Sequence, residues 1–321
     1  MDSRDNKEKI YDMIVLGAGP AGLSAAIYGG RAQMSTLVIE PRMAGGEITL
    51  TDRLDNYPGF PEGISGFEFG LLLEKHAARF GAEMVSTFVE RVEPEGRVKK
   101  VITSSGAFFG QTLVIATGTA PRTLGVPGES IFTGRGISFC ATCDGPLFRQ
   151  KRLAVIGGGD AAVEEALYLS RFAAEVILIH RRNTLRAVPY LQKKLSENPI
   201  IKFLGETVVK EFKGNQKLEK IVLKNVTDNK VSEISVDGAF LYIGRVPSSG
   251  FIDGVEKDSQ GYIITNEAME TSISGVFAAG DIRQKVLRQV VTAAADGAIA
   301  ATMALKYIQN NLTLTGYKNV T

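Results

Sequence analysis

Short apolar runs that stop at glycine recur along this chain. Met13-Ile14-Val15-Leu16 ends at Gly17, and Leu153-Ala154-Val155-Ile156 ends at Gly157. Each run precedes a helix-forming segment, and a second apolar run follows it, Thr36-Leu37-Val38-Ile39 in the first case and Val176-Ile177-Leu178-Ile179 in the second. Strand, glycine turn, helix and strand in that order predict two βαβ units. Ile115-Ala116-Thr117-Gly118 is expected to end a further apolar strand at Leu113, and Gly275 to Asp281 to end another near the C-terminus. The longest apolar stretch, Val290 to Ile308, is Ala-rich and broken by Asp296 and Gly297, which predicts a packed helix rather than a membrane span. Leu71 to Ala77 follows a helical pattern, so His76 within it reads as structural, whereas Phe109 and Phe148 read as core.

The two units are copies of one pattern. Met13 to Gly22 is echoed by Leu153 to Ala162 at a constant offset of 140 residues, and the register runs on through Tyr28 and Tyr168 to the second strands. Glycines at Gly17, Gly19 and Gly22, and at Gly157 and Gly159, let the backbone approach a pyrophosphate. Its charge then sits at the partly positive helix start, Pro20-Ala21 in one unit and Asp160-Ala161 in the other.

What differs is the residue after the second strand. Glu40 is a carboxylate suited to a ribose with a free 2′-hydroxyl, whereas His180-Arg181-Arg182, with Arg186 beyond, suits a 2′-phosphate. The first site is therefore read as binding FAD and the second NADPH, with His180 flanking the phosphate. Ala116-Thr117-Gly118 and Gly280-Asp281 end two more strands, and the acid is placed for a ribityl hydroxyl.

Composition narrows the remaining choices. The 321 residues suit two domains, and 44% apolar with 22% charged residues is the balance of a globular protein. A net charge of +2 offers no basic field for a nucleic acid. The mixed-charge N-terminus lacks the apolar core of a secretory signal, so a cytoplasmic protein without a membrane partner is expected, and the Asn-x-Thr sequons at Asn225, Asn311 and Asn319 are read as chance. The two cysteines form Cys140-Ala141-Thr142-Cys143. With His76 and His180 the only histidines, a zinc site lacks ligands, which leaves a redox-active pair.

The segment from Gly134 to Gly145, which holds both cysteines and Asp144, closely resembles the active-site segment of low-molecular-weight thioredoxin reductases. The order of Gly17 to Gly22, Gly45-Gly46, Asn56-Tyr57-Pro58-Gly59, Ala116-Thr117-Gly118, Gly157 to Glu165, His180-Arg181-Arg182, Phe277 to Asp281 and Arg288-Gln289 extends the resemblance over nearly the whole chain. Glutathione reductase-type relatives instead carry their Cys pair near the first helix and a histidine near the C-terminus.

The resemblance implies an α/β fold of two Rossmann-like, three-layer ββα domains. An NADPH domain, residues 121–246, carries the cysteines and is inserted into an FAD domain made of residues 1–120 and 247–321; the two domains rotate during turnover. Electrons would pass from NADPH through FAD and the Cys140/Cys143 disulfide to thioredoxin. Cys143 would lie beside the flavin and Cys140 would attack the partner, with Asp144 as proton donor and acceptor.

Beyond the glycine turn, Glu40, Ala116, Thr117, Gly118, Gly280 and Asp281, the resemblance adds Gly45, Gly46, Glu47, Thr49, Asn56, Val89, Arg288, Gln289 and Val290 to the FAD site. It adds Glu164 to the NADPH site and implies a homodimer through the FAD domain. Two departures are visible: Glu47 stands where glutamine is commoner, and Ser248-Ser249 replaces an asparagine, a change expected to affect only a loop. Some relatives take electrons from ferredoxin or another donor, or serve another thioredoxin-like partner, and the Arg181-Arg182 pair argues against such a donor here.

Overall fold

The computed structural model describes residues 9–316 apart from 52 and 55, with the backbone alone for 312–316. Residues 1–8, on which the leader reading rests, and Asn319 lie outside the described residues. The chain divides into two compact units, one of residues 1–120 and 246–321 and the other of residues 121–245.

The first unit begins with β1 (Ile10–Leu16), α1 (Pro20–Arg31), β2 (Thr36–Ile39), α2 (Gly66–Arg79), β3 (Glu83–Val85), β4 (Val89–Glu93), β5 (Lys99–Thr103), β6 (Gly106–Ile115) and β7 (Thr119–Pro121). The second holds α3 (Glu129–Phe132), β8 (Ile137–Ser138), α4 (Ala141–Asp144), β9 (Arg152–Gly157), α5 (Asp160–Leu169), β10 (Glu175–Ile179), α6 (Pro189–Ser196) and β11 (Ile201–Leu204). It closes with β12 (Thr207–Gly214), β13 (Leu218–Asn225), β14 (Val231–Ser235) and β15 (Gly238–Tyr242). The chain returns through β16 (Arg245–Pro247), which pairs with β7, to β17 (Val276–Ala278) and α7 (Val290–Gly316).

In the first unit β3, β2, β1, β6 and β17 pair in parallel, and β4 and β5 extend β6 as an antiparallel meander. One face of the sheet packs through Met13, Val15, Val38 and Val114 with residues of α1 and α7. The opposite face packs through Ile14, Leu16, Leu37 and Ile115 with Val92 and Val101 of the meander. Two-sided burial explains why β1 reads as a continuous apolar run rather than an alternating one.

The second unit repeats the plan. A parallel sheet ordered β11-β10-β9-β15-β8 is covered by α5 and α6 on one face and by the antiparallel β12-β13-β14 on the other. Each unit is thus a parallel sheet between helices and a meander. This is the three-layer ββα plan that the resemblance implied, although the individual meander strands were not located in the sequence.

The Ala-rich stretch forms a packed helix, with Ala293, Ala300, Ala301, Ala304 and Ile308 buried. Gly297 brings α7 against α1, since a Cβ there would collide with the Ala21 carbonyl, and Ser24 Oγ donates to Ala294 O at 2.7 Å. Among the described residues no helix is long and apolar enough to cross a membrane. Phe148 packs edge-on against Phe240 at 5.8 Å. Phe109 is only half-buried and joins no core cluster among the described residues; it pairs with the exposed Ile10 at the start of β1 and with Lys100 of β5.

Candidate functional site

The two glycine turns have the same construction. Gly17 has φ +98°, a left-handed conformation natural to glycine, and a Cβ there would lie 2.5 Å from Ala116 O at the end of β6. A Cβ on Gly22 would collide with the Gly17 carbonyl, so this glycine sets the closeness of helix and turn. Gly19 is different: a Cβ built on it meets no atom of the protein within 4 Å.

In the second unit a Cβ on Gly157 would lie 2.5 Å from Tyr242 O, and Gly159 again meets nothing within 4 Å. The third position is Ala162, buried against the turn. In both units the middle glycine presents bare backbone at a helix N-terminus, which fits a pyrophosphate approaching the amides.

Around the first turn the structure gathers residues from distant parts of the chain. The Glu40 carboxylate accepts the Ala18 amide at 2.9 Å and the Arg42 amide at 3.0 Å, with lone pairs left over for a sugar hydroxyl. The Gly45 amide donates to Ala18 O at 2.7 Å, and a Cβ on Gly46 would stand 3.0 Å from Gly19 Cα. Thr49 Oγ1 closes the same loop on Gly46 O. Gly280 lies against Ala21, bringing Asp281 to the start of α1.

Asn56 Nδ2 donates to Gln289 Oε1 at 3.0 Å across 233 residues of sequence. Beside them Arg288 lies over the Tyr262 ring at 4.0 Å, and Val290 packs against the Ile48, Leu54, Ile64 and Phe69 cluster. Thr117 Oγ1 donates to Ser248 O, and the Ser248 amide donates to Gly118 O, so the Ser248 main chain clasps the end of β6. Ser249 is buried and donates to Gly261 O at 2.7 Å. Glu47 is exposed, and Val89 opens β4 half-buried.

One feature of the first unit escaped sequence reasoning. Asp296, read as a mere interruption of the apolar helix, is buried. It accepts the Gly280 amide at 3.0 Å and pairs with Arg283 at 3.0 Å and Lys285 at 2.6 Å, whose side chains are largely shielded from solvent. A lone acid in an apolar helix, with two cations shortly upstream, is the signal that could have found it.

Around the second turn His180 is 7% exposed and lies on the turn itself, so that a Cβ on Gly158 would collide with its ring. Its Nε2 has no hydrogen-bond partner among the described residues. Burial first, then the charges of Arg186, Arg181 and Arg182, push its pKa below the ordinary 6.5, so the ring is neutral at pH 7. The three arginines are exposed, and the Arg186 amide donates to Gly158 O at 2.7 Å. Asp160, at the start of α5, accepts the Val188 amide at 2.8 Å; Ala161 and Glu164 lie exposed on the same helix. A buried nitrogen without a partner, beside three guanidinium groups and a bare glycine turn, fits a phosphorylated nucleotide.

Cys140 and Cys143 are joined as a disulfide with Cα atoms 5.4 Å apart. Cys140 caps α4: its sulfur accepts the Cys143 amide at 3.1 Å, and the Asp144 amide donates to its carbonyl. Cys143 is exposed, while Cys140 and Asp144 are half-buried. Among the described residues no group of three or more His, Cys, Asp or Glu side chains is gathered to hold a metal ion.

Comparison with known proteins agrees with this geometry. Residues 11–297 match the family described as pyridine nucleotide-disulphide oxidoreductase. The chain is 46% identical to the thioredoxin reductase of Treponema pallidum, covering 94% of this chain and 98% of that one. It is 44% identical to the thioredoxin reductase of Bacillus subtilis, covering 95% and 96%. The crystal structure of Lactococcus lactis thioredoxin reductase superposes with a TM-score of 0.91 at 42% identity, over 94% of this chain and 99% of that one. Two glycine cradles, a disulfide at a helix start and these full-length likenesses lead to one assignment: the chain belongs to the pyridine nucleotide-disulphide oxidoreductases, as a flavoprotein oxidoreductase of the thioredoxin reductase type.

Proposed function

We propose that this chain reduces the disulfide of thioredoxin with electrons from NADPH, using FAD held by the first unit and the Cys140/Cys143 pair of the second. The observation that carries the reading is the Cys140–Cys143 disulfide at the start of α4, in a chain whose two glycine turns are followed by opposite charge, Glu40 in one and Arg181, Arg182 and Arg186 in the other. Bound in those cradles, the nicotinamide and the flavin supply a pair of electrons to the disulfide.

The protein's own groups do the rest. Two electrons and one proton convert the disulfide to one thiol and one thiolate. The Cys140 thiolate, stabilised by the Cys143 amide, attacks a sulfur of the substrate disulfide; a mixed disulfide forms and a substrate thiolate leaves. Cys143 then attacks the Cys140 sulfur, restoring the disulfide and releasing the second substrate sulfur. Asp144, directly after Cys143, takes the Cys143 proton and returns it to a departing thiolate. His180 and the three arginines bind the nucleotide and move no proton.

Initial rates of reduction of oxidised thioredoxin, compared with NADPH, NADH and reduced ferredoxin as donors, test this reading. NADPH is expected to be preferred, and Arg181→Ala with Arg182→Ala to narrow the preference over NADH at least tenfold. An unchanged preference would remove the arginines from the nucleotide site.

A further inference from the structure

One hydroxyl beside the redox pair has no part in the scheme above. Tyr242 ends β15, in register with Gly157 of the second glycine turn. Its hydroxyl accepts the Ala141 amide at 2.9 Å. Ala141 is fully buried and is the first residue of α4, between the capping Cys140 and the Cys143 whose amide that cap receives. The first amides of a helix have no partner inside it. Here Tyr242 satisfies one of them and the Cys140 sulfur another.

We propose that the Tyr242 hydroxyl is a positioning group for the dithiol: by holding the Ala141 amide it fixes the first turn of α4 so that the Cys143 amide stays aimed at the Cys140 sulfur. In the disulfide that sulfur is a weak acceptor. In the reduced pair it is a thiolate, and the same amide becomes a charge-assisted donor. The geometry held by Tyr242 therefore favours the reduced state and keeps Cys140 ionised.

The charged groups that act on the phenol are Glu165 of α5, Asp144 of α4 and Arg245 just beyond β15. Burial first, and then Glu165, push its pKa far above the usual phenol value, so the hydroxyl stays protonated and available throughout the working range. Ser138 brackets the other side of the turn, its hydroxyl accepting the Cys140 amide at 3.0 Å.

The inference rests on the reading that Cys140 is the attacking thiol, and the test separates the two. The chain has two cysteines, so the holoenzyme carrying Cys143→Ser has a single thiol while keeping the amide at position 143. The rate of its alkylation by iodoacetamide against pH gives the Cys140 pKa directly. Adding Tyr242→Phe is expected to raise that pKa by about half a unit to one unit, slowing alkylation at pH 7 roughly three- to tenfold.

3,5-Difluorotyrosine at position 242 keeps the ring and the hydroxyl but weakens the oxygen as an acceptor, and should give an intermediate shift even where the Phe protein folds poorly. A Cys140 pKa unmoved by both changes overturns the role of Tyr242. Whether the Cys143→Ser protein traps thioredoxin as a mixed disulfide is read separately, and a failure to trap overturns the assignment of Cys140 rather than that of Tyr242.

Discussion

Alanine at Gly19 leaves the fold intact and removes flavin binding, and alanine at Gly159 does the same for the nicotinamide nucleotide. Gly19 has φ −75° and ψ −177°, which any residue adopts, and a Cβ there touches no protein atom within 4 Å. The loss of unfolded-chain entropy stabilises such a change by about 0.4–1 kcal/mol, and a poorer helix cap takes back a few tenths. The expected change in stability is therefore within about 0.7 kcal/mol.

Binding is affected far more. The added methyl occupies the space through which a pyrophosphate reaches the amides, and two charge-assisted hydrogen bonds at about 1.5–3 kcal/mol each are lengthened or lost. That is about 3 kcal/mol or more, over a hundredfold in affinity. Flavin content after purification and fluorescence titration of the apoprotein with FAD read the first variant. The KM for NADPH, with flavin content unchanged, reads the second. A Gly19→Ala protein that binds FAD like the parent, or a Gly159→Ala protein that loses flavin and keeps its KM, refutes the reasoning. Gly22→Ala, which would collide with the Gly17 carbonyl, is the control that should fail to fold stably.

Further outcomes follow from individual groups. Asp144→Asn should retain flavin and its bleaching by NADPH while lowering thioredoxin reduction about 10²- to 10⁴-fold, and unchanged turnover removes the acid from the proton path. Asp296→Ala leaves the largely shielded Arg283 and Lys285 without their counter-charge, so denaturant unfolding should report a loss of about 3–5 kcal/mol; a loss under 1 kcal/mol would mean the triad is not held in solution. The His180 pKa is lowered in the folded protein, so between that value and 6.5 the unfolded chain binds more protons, and stability falls as pH drops through this window and not above it. His180→Gln should flatten that part of the stability–pH curve, and an identical curve contradicts the burial argument.

The parts of the site that were legible in the sequence are those written in local pattern. The strand–glycine–helix signal depends on neighbours a few residues apart, and the contrast between Glu40 and Arg181-Arg182 stands at one register position of a repeat. What stayed hidden is set by pairing across long stretches of chain. The hydrogen bond from Asn56 to Gln289, the clasp of Ser248 on Thr117 and Gly118, and the Tyr242 hydroxyl on the Ala141 amide each join residues more than 100 positions apart. No periodicity encodes them. The resemblance implied a second β layer in each domain, but its strands were not located, because β4 and β14 are short and largely exposed and so carry little apolar signal. Asp296 was visible as an exception to its helix, yet its partners Arg283 and Lys285 become partners only once the turn at Gly280 folds back.

Anaerobic titration of the yellow holoprotein with NADPH, followed by addition of oxidised thioredoxin, tests the electron path as a whole. The account predicts loss of flavin absorbance on adding NADPH and its return on adding thioredoxin, with the return abolished in Cys140→Ser. Absorbance that NADPH leaves unchanged, or that returns equally fast in Cys140→Ser, would contradict it.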